Sequence, residues 1–165
     1  MMLFLIATIQ EEKIMKLLEQ NVRPFDGLDE IKLLSSLNDI KEYLKKNSLK
    51  FTVEYQSNKG CDPEVPWTIL HVENSISLMF AKDKLWQIYL EEDYKGILPN
   101  GIRIGMPIDE ALKIDPSLKF DDWNENFESD NGYWLEDDLT NNTVLSISVF
   151  IKEVLDNDVF YRYEW

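Results

Sequence analysis

Cysteine and histidine are almost absent from this chain of 165 residues, which contains one of each, Cys61 and His71. A single cysteine cannot form an internal disulfide, as is typical of proteins in a reducing compartment. A single histidine excludes a metal site with several histidines and an acid–base pair of histidines. His71 lies in an apolar segment and Cys61 in a polar loop, and no residue nearby would orient them as a catalytic pair. We therefore expect a structural role for each.

Long apolar stretches are also lacking. The apolar N-terminal run, residues 1–7, is short, follows no basic residue and leads into Gln10, Glu11 and Glu12 rather than a small-residue cleavage site. No other segment approaches the roughly 18 apolar residues that a membrane span requires. These absences predict a cytoplasmic protein that does not engage the membrane.

Basic residues are scarce, since 31 acidic residues face 17 basic ones and the net charge is −14. The imbalance is local: residues 1–108 contain 16 acids and 13 bases, whereas residues 109–165 contain 15 acids and 4 bases. Such a field repels nucleic acid and anionic membranes, and it attracts basic proteins. An acidic face that serves only solubility is the alternative.

The composition and the periodicity indicate a folded α+β protein. Hydrophobic residues make up 44% and aromatic residues 12% of the chain, which is enough for one core, and we expect residues 1–165 to form a single domain. N-terminal helices are expected to pack on a mainly antiparallel sheet, with one further short helix between strands. The predicted helices cover residues 11–20, 36–46 and 107–114, and the predicted strands cover residues 51–55, 67–72, 76–80, 85–90, 101–104, 143–151 and 159–163.

Motifs for cofactor or metal chemistry are not found. Gly101 and Gly105 belong to neither a phosphate loop nor a dinucleotide fingerprint. Residues 122, 124, 126 and 128 alternate as EF-hand ligands would, but Phe127 replaces the required glycine and Tyr133 replaces the final glutamate. Only weak, adventitious calcium binding stays open, and the sequence predicts no cofactor and no metal site.

The segment from Asp121 to Asp138 contains eight acidic residues, no basic residue and four aromatic residues. Carboxylates pair with lysine and arginine, and aromatic side chains are common anchors of protein interfaces. The alternative is that the aromatic side chains face the core while the acids are merely solvated. We predict a partner-binding surface formed by Asp121, Asp122, Trp123, Glu125, Glu128, Asp130, Tyr133, Trp134, Glu136, Asp137 and Asp138.

Three stretches resemble the small cytoplasmic immunity proteins of bacterial polymorphic-toxin and contact-dependent growth-inhibition systems (CdiI-like proteins). They are residues 101–106 (GIRIGM), 121–123 (DDW) and 132–138 (GYWLEDD). The unit from Gly101 to Pro107, with the helix after it, also resembles a unit of small α+β proteins that inhibit β-lactamases.

The first resemblance implies a protein that is not an enzyme and that binds and neutralises a cognate toxin domain, often a basic nuclease. It implies no direct contact with nucleic acid. Two alternatives stay open at this point: a generic acidic interaction module without a toxin, and a hydrolase that uses paired carboxylates in a cleft.

Overall fold

The structure, a computed structural model, describes residues 2–57 and 64–165, with side chains described from Ile6 onward. The prediction made for Cys61 lies outside the described residues. The described chain contains helices and strands in a mixed order along the sequence. The helices are α1 (Met2–Leu18), α2 (Leu37–Lys46), α3 (Ile108–Ile114) and α4 (Asn157–Phe160), with a 3₁₀ helix at Lys152–Leu155. The strands are β1 (Val22–Arg23), β2 (Gly27–Leu28), β3 (Phe51–Gln56), β4 (Trp67–Val72), β5 (Ile76–Ala81), β6 (Lys84–Glu91), β7 (Lys119–Asp121), β8 (Asn126–Ser129), β9 (Tyr133–Asp138) and β10 (Thr143–Phe150).

Eight of the strands form one antiparallel sheet in the order β3-β4-β5-β6-β10-β9-β8-β7, and β1 and β2 form a separate hairpin. The sheet consists of two four-stranded meanders that meet where β6 pairs with β10. Helix α3 lies in the connection between the meanders. The α+β class predicted from the sequence is therefore confirmed.

One face of the sheet is the core face. Cross-strand partners form a continuous row of Leu70, Leu78, Ile88, Val149 and Tyr133, each at most 1% exposed. Side chains on this row pack in one hydrophobic cluster with the buried residues of α1 and α2. Alternation along the strands places the next residues on the opposite face.

The opposite face, here called the polar face, carries a row of different character. Its cross-strand partners are His71, Ser77, Tyr89, Ser148, Trp134 and Glu128. At one end this face is covered by the C-terminal segment, where Trp86 packs between Trp67 and Phe160 at ring distances of 4.9 and 5.0 Å. The rest of the polar face is available to form a site.

Helix α2 begins where the sequence predicts. Ser36 has an extended backbone, and its side chain accepts a hydrogen bond from the Asp39 backbone N–H at 3.1 Å. This bond satisfies one of the N–H groups that a helix leaves unpaired at its first turn. Leu44 and Ile40 then bury the apolar side of the helix.

We expect Ser36→Ala to lower the free energy of unfolding by about 1 kcal/mol, because it removes the side-chain cap. Urea denaturation at pH 7 measures the change. Ser36→Asp, which keeps a capping oxygen, is the control and should retain most of the stability. Equal losses in both variants would contradict a capping role.

Two predicted strands are wrong. Residues 159–163 form the end of α4 and a turn, because Asp156 caps that helix and Trp165 stacks on Phe160 at 5.4 Å. Residues 101–104 form no strand among the described residues, although Pro107 does precede helix α3 as predicted. Helix α1 begins at Met2 rather than Glu11, and within the described ranges no helix is both long and apolar enough to cross a membrane.

Candidate partner-binding surface

The hairpin of β7 and β8 presents Trp123 to solvent. Its connection, residues 122–125, is fixed by Asp121, whose Oδ1 accepts hydrogen bonds from the backbone N–H groups of Trp123 and Asn124, each at 2.8 Å. Such a bond pattern is a common way for aspartate to stabilise a turn. The result is a Trp123 side chain that is 93% exposed and flanked by the exposed carboxylates of Asp122 and Glu125.

Behind this hairpin lies a cleft of about 570 Å³, here called the aromatic cleft. Strands β4, β6 and β9, the β7–β8 hairpin and the C-terminal segment form its walls. Four residues of the predicted surface meet in it: Asp121, Trp123, Glu128 and Trp134. The other lining residues are Trp67, Trp86, Asn124, Val154, Leu155, Asn157, Phe160 and Tyr161.

A second, smaller cavity adjoins the cleft along the polar face, and it is here called the Glu136 cavity. Trp134 borders both, and the cavity measures about 230 Å³. The Glu136 carboxylate accepts hydrogen bonds from the Tyr89 hydroxyl at 2.6 Å and the Ser146 hydroxyl at 2.8 Å. The other lining residues are Met79, Gln87, Asn124, Asn126 and Ser148.

Trp134 is held in place by a chain of aromatic contacts. Its ring packs on Phe150 at 4.4 Å, and Phe150 meets the edge of Phe25 at 6.3 Å. Phe25 in turn lies against Gly132. A Cβ at position 132 would come within 2.2 Å of the Phe25 ring, and the φ of +86° there also favours glycine. The β8–β9 turn and the orientation of Trp134 are therefore coupled.

Tyr133 does not belong to the exposed surface. It is 1% exposed on the core face, and its hydroxyl donates to the carboxylate of Asp115. Asp115 is itself 4% exposed and also accepts hydrogen bonds from Ser117, Ser129 and Asn131. We therefore leave Tyr133 out of the candidate surface and assign it to the network that ties α3 to the β8–β9 turn.

Burial of Asp115 opposes its ionisation, but the hydrogen bonds from Ser129, Tyr133, Ser117 and Asn131 outweigh that cost and hold the pKa of Asp115 well below its usual range. Burial, and then the bond to Asp115, raises the pKa of Tyr133. Asp115 is thus a buried anion at neutral pH, and its donors are all neutral groups.

The remaining predicted residues lie at the margins. Asp130 is exposed in the β8–β9 turn and lines a cavity of about 200 Å³ together with Glu128 and Trp134. Asp138 accepts hydrogen bonds from Thr140 and Asn141 in its own turn. Asp137 alternates with Glu136 along β9 and so belongs to the other face of the sheet.

The acids of the last third of the chain differ from those before them in how they are paired. Lys16 pairs with Glu30, and Arg23 pairs with Asp29 at 2.8 Å, in the N-terminal part. Among the described side chains, by contrast, no acidic residue of 109–165 forms an ion pair. Within the described part of the chain, the carboxylates around Trp123 are therefore not held in ion pairs.

His71 lies on the polar face outside both cavities, where its ring nitrogens are within 2.7 Å of Glu54 and 3.0 Å of Ser77. These contacts give both ring nitrogens a neighbouring polar group, and the structural role expected for His71 stays a prediction. Over the part of the chain that the structure describes, no group of three or more His, Cys, Asp or Glu side chains is placed to hold a metal ion.

Several lining residues were not predicted, although two of them had a visible signal. Ser146 and Ser148 alternate with Ile147 and Val149 along β10, and that pattern indicates one apolar and one small polar face. Tyr89 and Gln87 reach the site through the long-range pairing of β6 with β10, and the cleft residues of the C-terminal segment reach it through packing such as the contact of Phe160 with Trp86.

Comparison with models of known families, with characterised proteins and with solved structures gives no significant match for this chain.

Proposed function

We propose that this protein is a cytoplasmic immunity protein that binds and neutralises a basic toxin domain, a nuclease, and is not itself an enzyme. The observation that carries the proposal is the almost fully exposed Trp123, set among carboxylates that form no ion pair with any other described residue.

The charge supports a basic partner. A nuclease must present basic residues to hold phosphate groups, so an acidic protein can compete for the same surface. Unpaired carboxylates raise the association rate of such a partner through long-range attraction. Residues 109–165, with 15 acids and 4 bases, supply most of this field.

The aromatic side chains support a stable complex. Trp123 stands at the rim of the aromatic cleft, and Trp134 lies between the cleft and the Glu136 cavity. Tryptophan residues of this kind dominate the affinity of many interfaces because they bury a large ring at small entropic cost. The cleft provides a concave surface into which a partner loop can insert.

The charge contribution is tested with a triple variant in the β7–β8 hairpin, Asp122→Lys, Glu125→Lys and Glu128→Lys. The partner used in the test is the protein encoded by the gene adjacent to this one, which the proposal expects to contain the toxin domain. We expect the wild-type chain to form a one-to-one complex and to protect cells that express the toxin. The triple variant should associate about tenfold more slowly in stopped-flow measurements at low salt.

The matched control replaces Glu11, Glu12 and Glu19, three exposed acids of the N-terminal helix region, by lysine. It changes the net charge equally but away from the proposed surface, so its association rate should stay close to that of the wild type. Failure of the wild-type chain to bind or protect would overturn the proposal. Binding of a basic protein without protection would instead favour a generic acidic interaction module.

A further inference from the structure

The Glu136 cavity has the composition of a site for a cation. The residues that line it include one carboxylate and no basic side chain. Three of its polar lining residues, Gln87, Ser146 and Ser148, are at most 7% exposed. Buried polar side chains on the outer face of a sheet cost free energy unless they are hydrogen-bonded, so this grouping is not expected for a face that serves only solvation.

Glu136 is held in a fixed orientation. The hydroxyls of Tyr89 and Ser146 both donate to its Oε2, and among the described residues no hydrogen bond reaches its Oε1. The two hydroxyl donors orient the carboxylate and leave one oxygen for a further donor. Glu91, near the same end of the sheet, has its pKa raised by burial and then by the negative charges of Glu92 and Glu136, which indicates a locally negative potential.

Asn126 supplies an independent observation. It is 7% exposed and lines the cavity, and its Oδ1 is buried without a hydrogen-bond partner in the described structure. A buried acceptor without a donor is uncommon in folded proteins. A donor in the cavity satisfies it once the Asn126 amide turns toward the cavity, because Oδ1 is closed to solvent in this structure.

We propose that the Glu136 cavity binds the guanidinium group of an arginine side chain, which pairs with Glu136, donates to Asn126 Oδ1 and stacks on the ring of Trp134. The claim that this arginine belongs to the toxin domain rests on the proposed function. The claim that the cavity binds guanidinium is argued from the geometry of the cavity alone.

Size and shape favour an arginine side chain over other ligands. Pockets for small-molecule ligands usually measure about 300–1,000 Å³, whereas this cavity measures about 230 Å³ and suits a single side chain. Guanidinium is planar, stacks on aromatic rings and presents several donors in a fixed fork. The ammonium group of lysine is compact and strongly hydrated, so it matches a flat tryptophan wall and two separated acceptors less well.

The test titrates the isolated protein with the peptide acetyl-Gly-Arg-Gly-amide while the Trp134 indole and Asn126 side-chain amide resonances are followed by NMR. We expect saturable shifts of both resonances, with a dissociation constant on the order of a millimolar for so small a ligand. The peptide acetyl-Gly-Lys-Gly-amide should bind more weakly by about tenfold. Absence of saturable shifts, or equal binding of both peptides, would overturn the proposal.

Two variants and one control locate the binding. Glu136→Gln should weaken binding of the arginine peptide about tenfold or more, because it removes the charge that pairs with guanidinium. Asn126→Ala should weaken binding as well, and it removes no hydrogen bond to Oδ1 from the folded protein. Asp137→Asn removes the neighbouring charge on the other face of β9 and should leave binding within about twofold.

An equal loss in Asp137→Asn and Glu136→Gln would contradict a specific site, since it would show only a general effect of charge. Asn126→Ala keeps the test decisive if Glu136→Gln folds poorly, which its thermal melting curve would reveal. The peptide titration contains no toxin domain. If it shows no binding, the guanidinium site is contradicted, but the proposed immunity function, which is argued from the Trp123 surface, is not. If the isolated protein binds the arginine peptide but forms no complex with the toxin domain, the guanidinium site is supported and only the proposed immunity function is contradicted.

Discussion

Asp115→Asn is expected to lower the free energy of unfolding by about 3–5 kcal/mol at pH 7, because it leaves buried donors facing an amide instead of a carboxylate. Tyr133 is 1% exposed and Ser129 is 4% exposed, and both donate to Oδ2 of Asp115. The other oxygen, Oδ1, accepts from the backbone N–H and the hydroxyl of Ser117. The side chain of asparagine has one acceptor oxygen, so the donors at one of the two positions face an NH₂ group that cannot accept. Since domains of this size are stable by about 5–15 kcal/mol, the loss is a large part of the total.

The effect should depend on pH in a defined direction. The pKa of Asp115 is lower in the folded protein than in the unfolded chain, where it is about 3.9. The stabilisation is therefore complete above about pH 4 and is lost as the pH falls further, because the unfolded chain then binds a proton that the folded chain does not. The difference between wild type and Asp115→Asn should shrink below about pH 4 in urea denaturation measured across the acidic range.

Asp130→Asn is the matched control, since Asp130 lies in the adjacent turn and is exposed. Its unfolding free energy should differ from the wild type by less than about 0.5 kcal/mol. A similarly small effect of Asp115→Asn would contradict the central role of the network. Because Asp115 holds the β8–β9 turn through Ser129 and Asn131, its loss should also disturb the strand that carries Trp134.

Local signals in the sequence predicted much of the fold. The cap at Ser36 and the break at Pro107 lie within a few residues of the helices they begin, so no knowledge of the tertiary structure was needed. The hairpin between β5 and β6 was equally local, because Lys82 and Asp83 adopt the positive φ angles, 46° and 64°, of a tight turn. Alternation then identified β3, β4, β5, β6 and β10, whereas β7, β8 and β9 were not predicted.

Features set by distant contacts could not be predicted. The residues around Val159 alternate as in a strand, but the contacts of Phe160 with Trp86 and Trp165 stabilise a helical turn instead. The pairing of β6 with β10 decides which residues share the polar face, and no short-range pattern encodes that pairing.

The candidate site likewise contains residues that the sequence predicted correctly and residues whose placement depends on distant contacts. Composition alone indicated an acidic and aromatic surface, and Asp121, Trp123, Glu128 and Trp134 do meet in one cleft. Tyr133 has the same composition signal but faces the core, because its position in β9 differs by one residue from that of Trp134. Without the register of β9 in the sheet, the sequence does not show which of these two side chains faces the core.

Trp123→Ala is expected to weaken the complex with the adjacent gene's toxin domain by about 2 kcal/mol or more, which corresponds to roughly thirtyfold in the dissociation constant. The ring is 93% exposed in the free protein and would be buried at the interface. Stability should change by less than about 0.5 kcal/mol, because the bond to Asp121 comes from the backbone N–H of Trp123, which alanine retains. Isothermal titration calorimetry and urea denaturation measure the two quantities separately.

Leu139→Ala provides the matched control, since Leu139 is 90% exposed in the turn between β9 and β10, away from the aromatic cleft. It removes a comparably exposed apolar side chain and should leave the dissociation constant within about twofold. If Trp123→Ala bound as tightly as the wild type while Leu139→Ala did not, the interface would lie at the other turn. Selective loss in Trp123→Ala would place the β7–β8 hairpin in the interface, because the Trp123 ring lies in that hairpin and the partner must bury it.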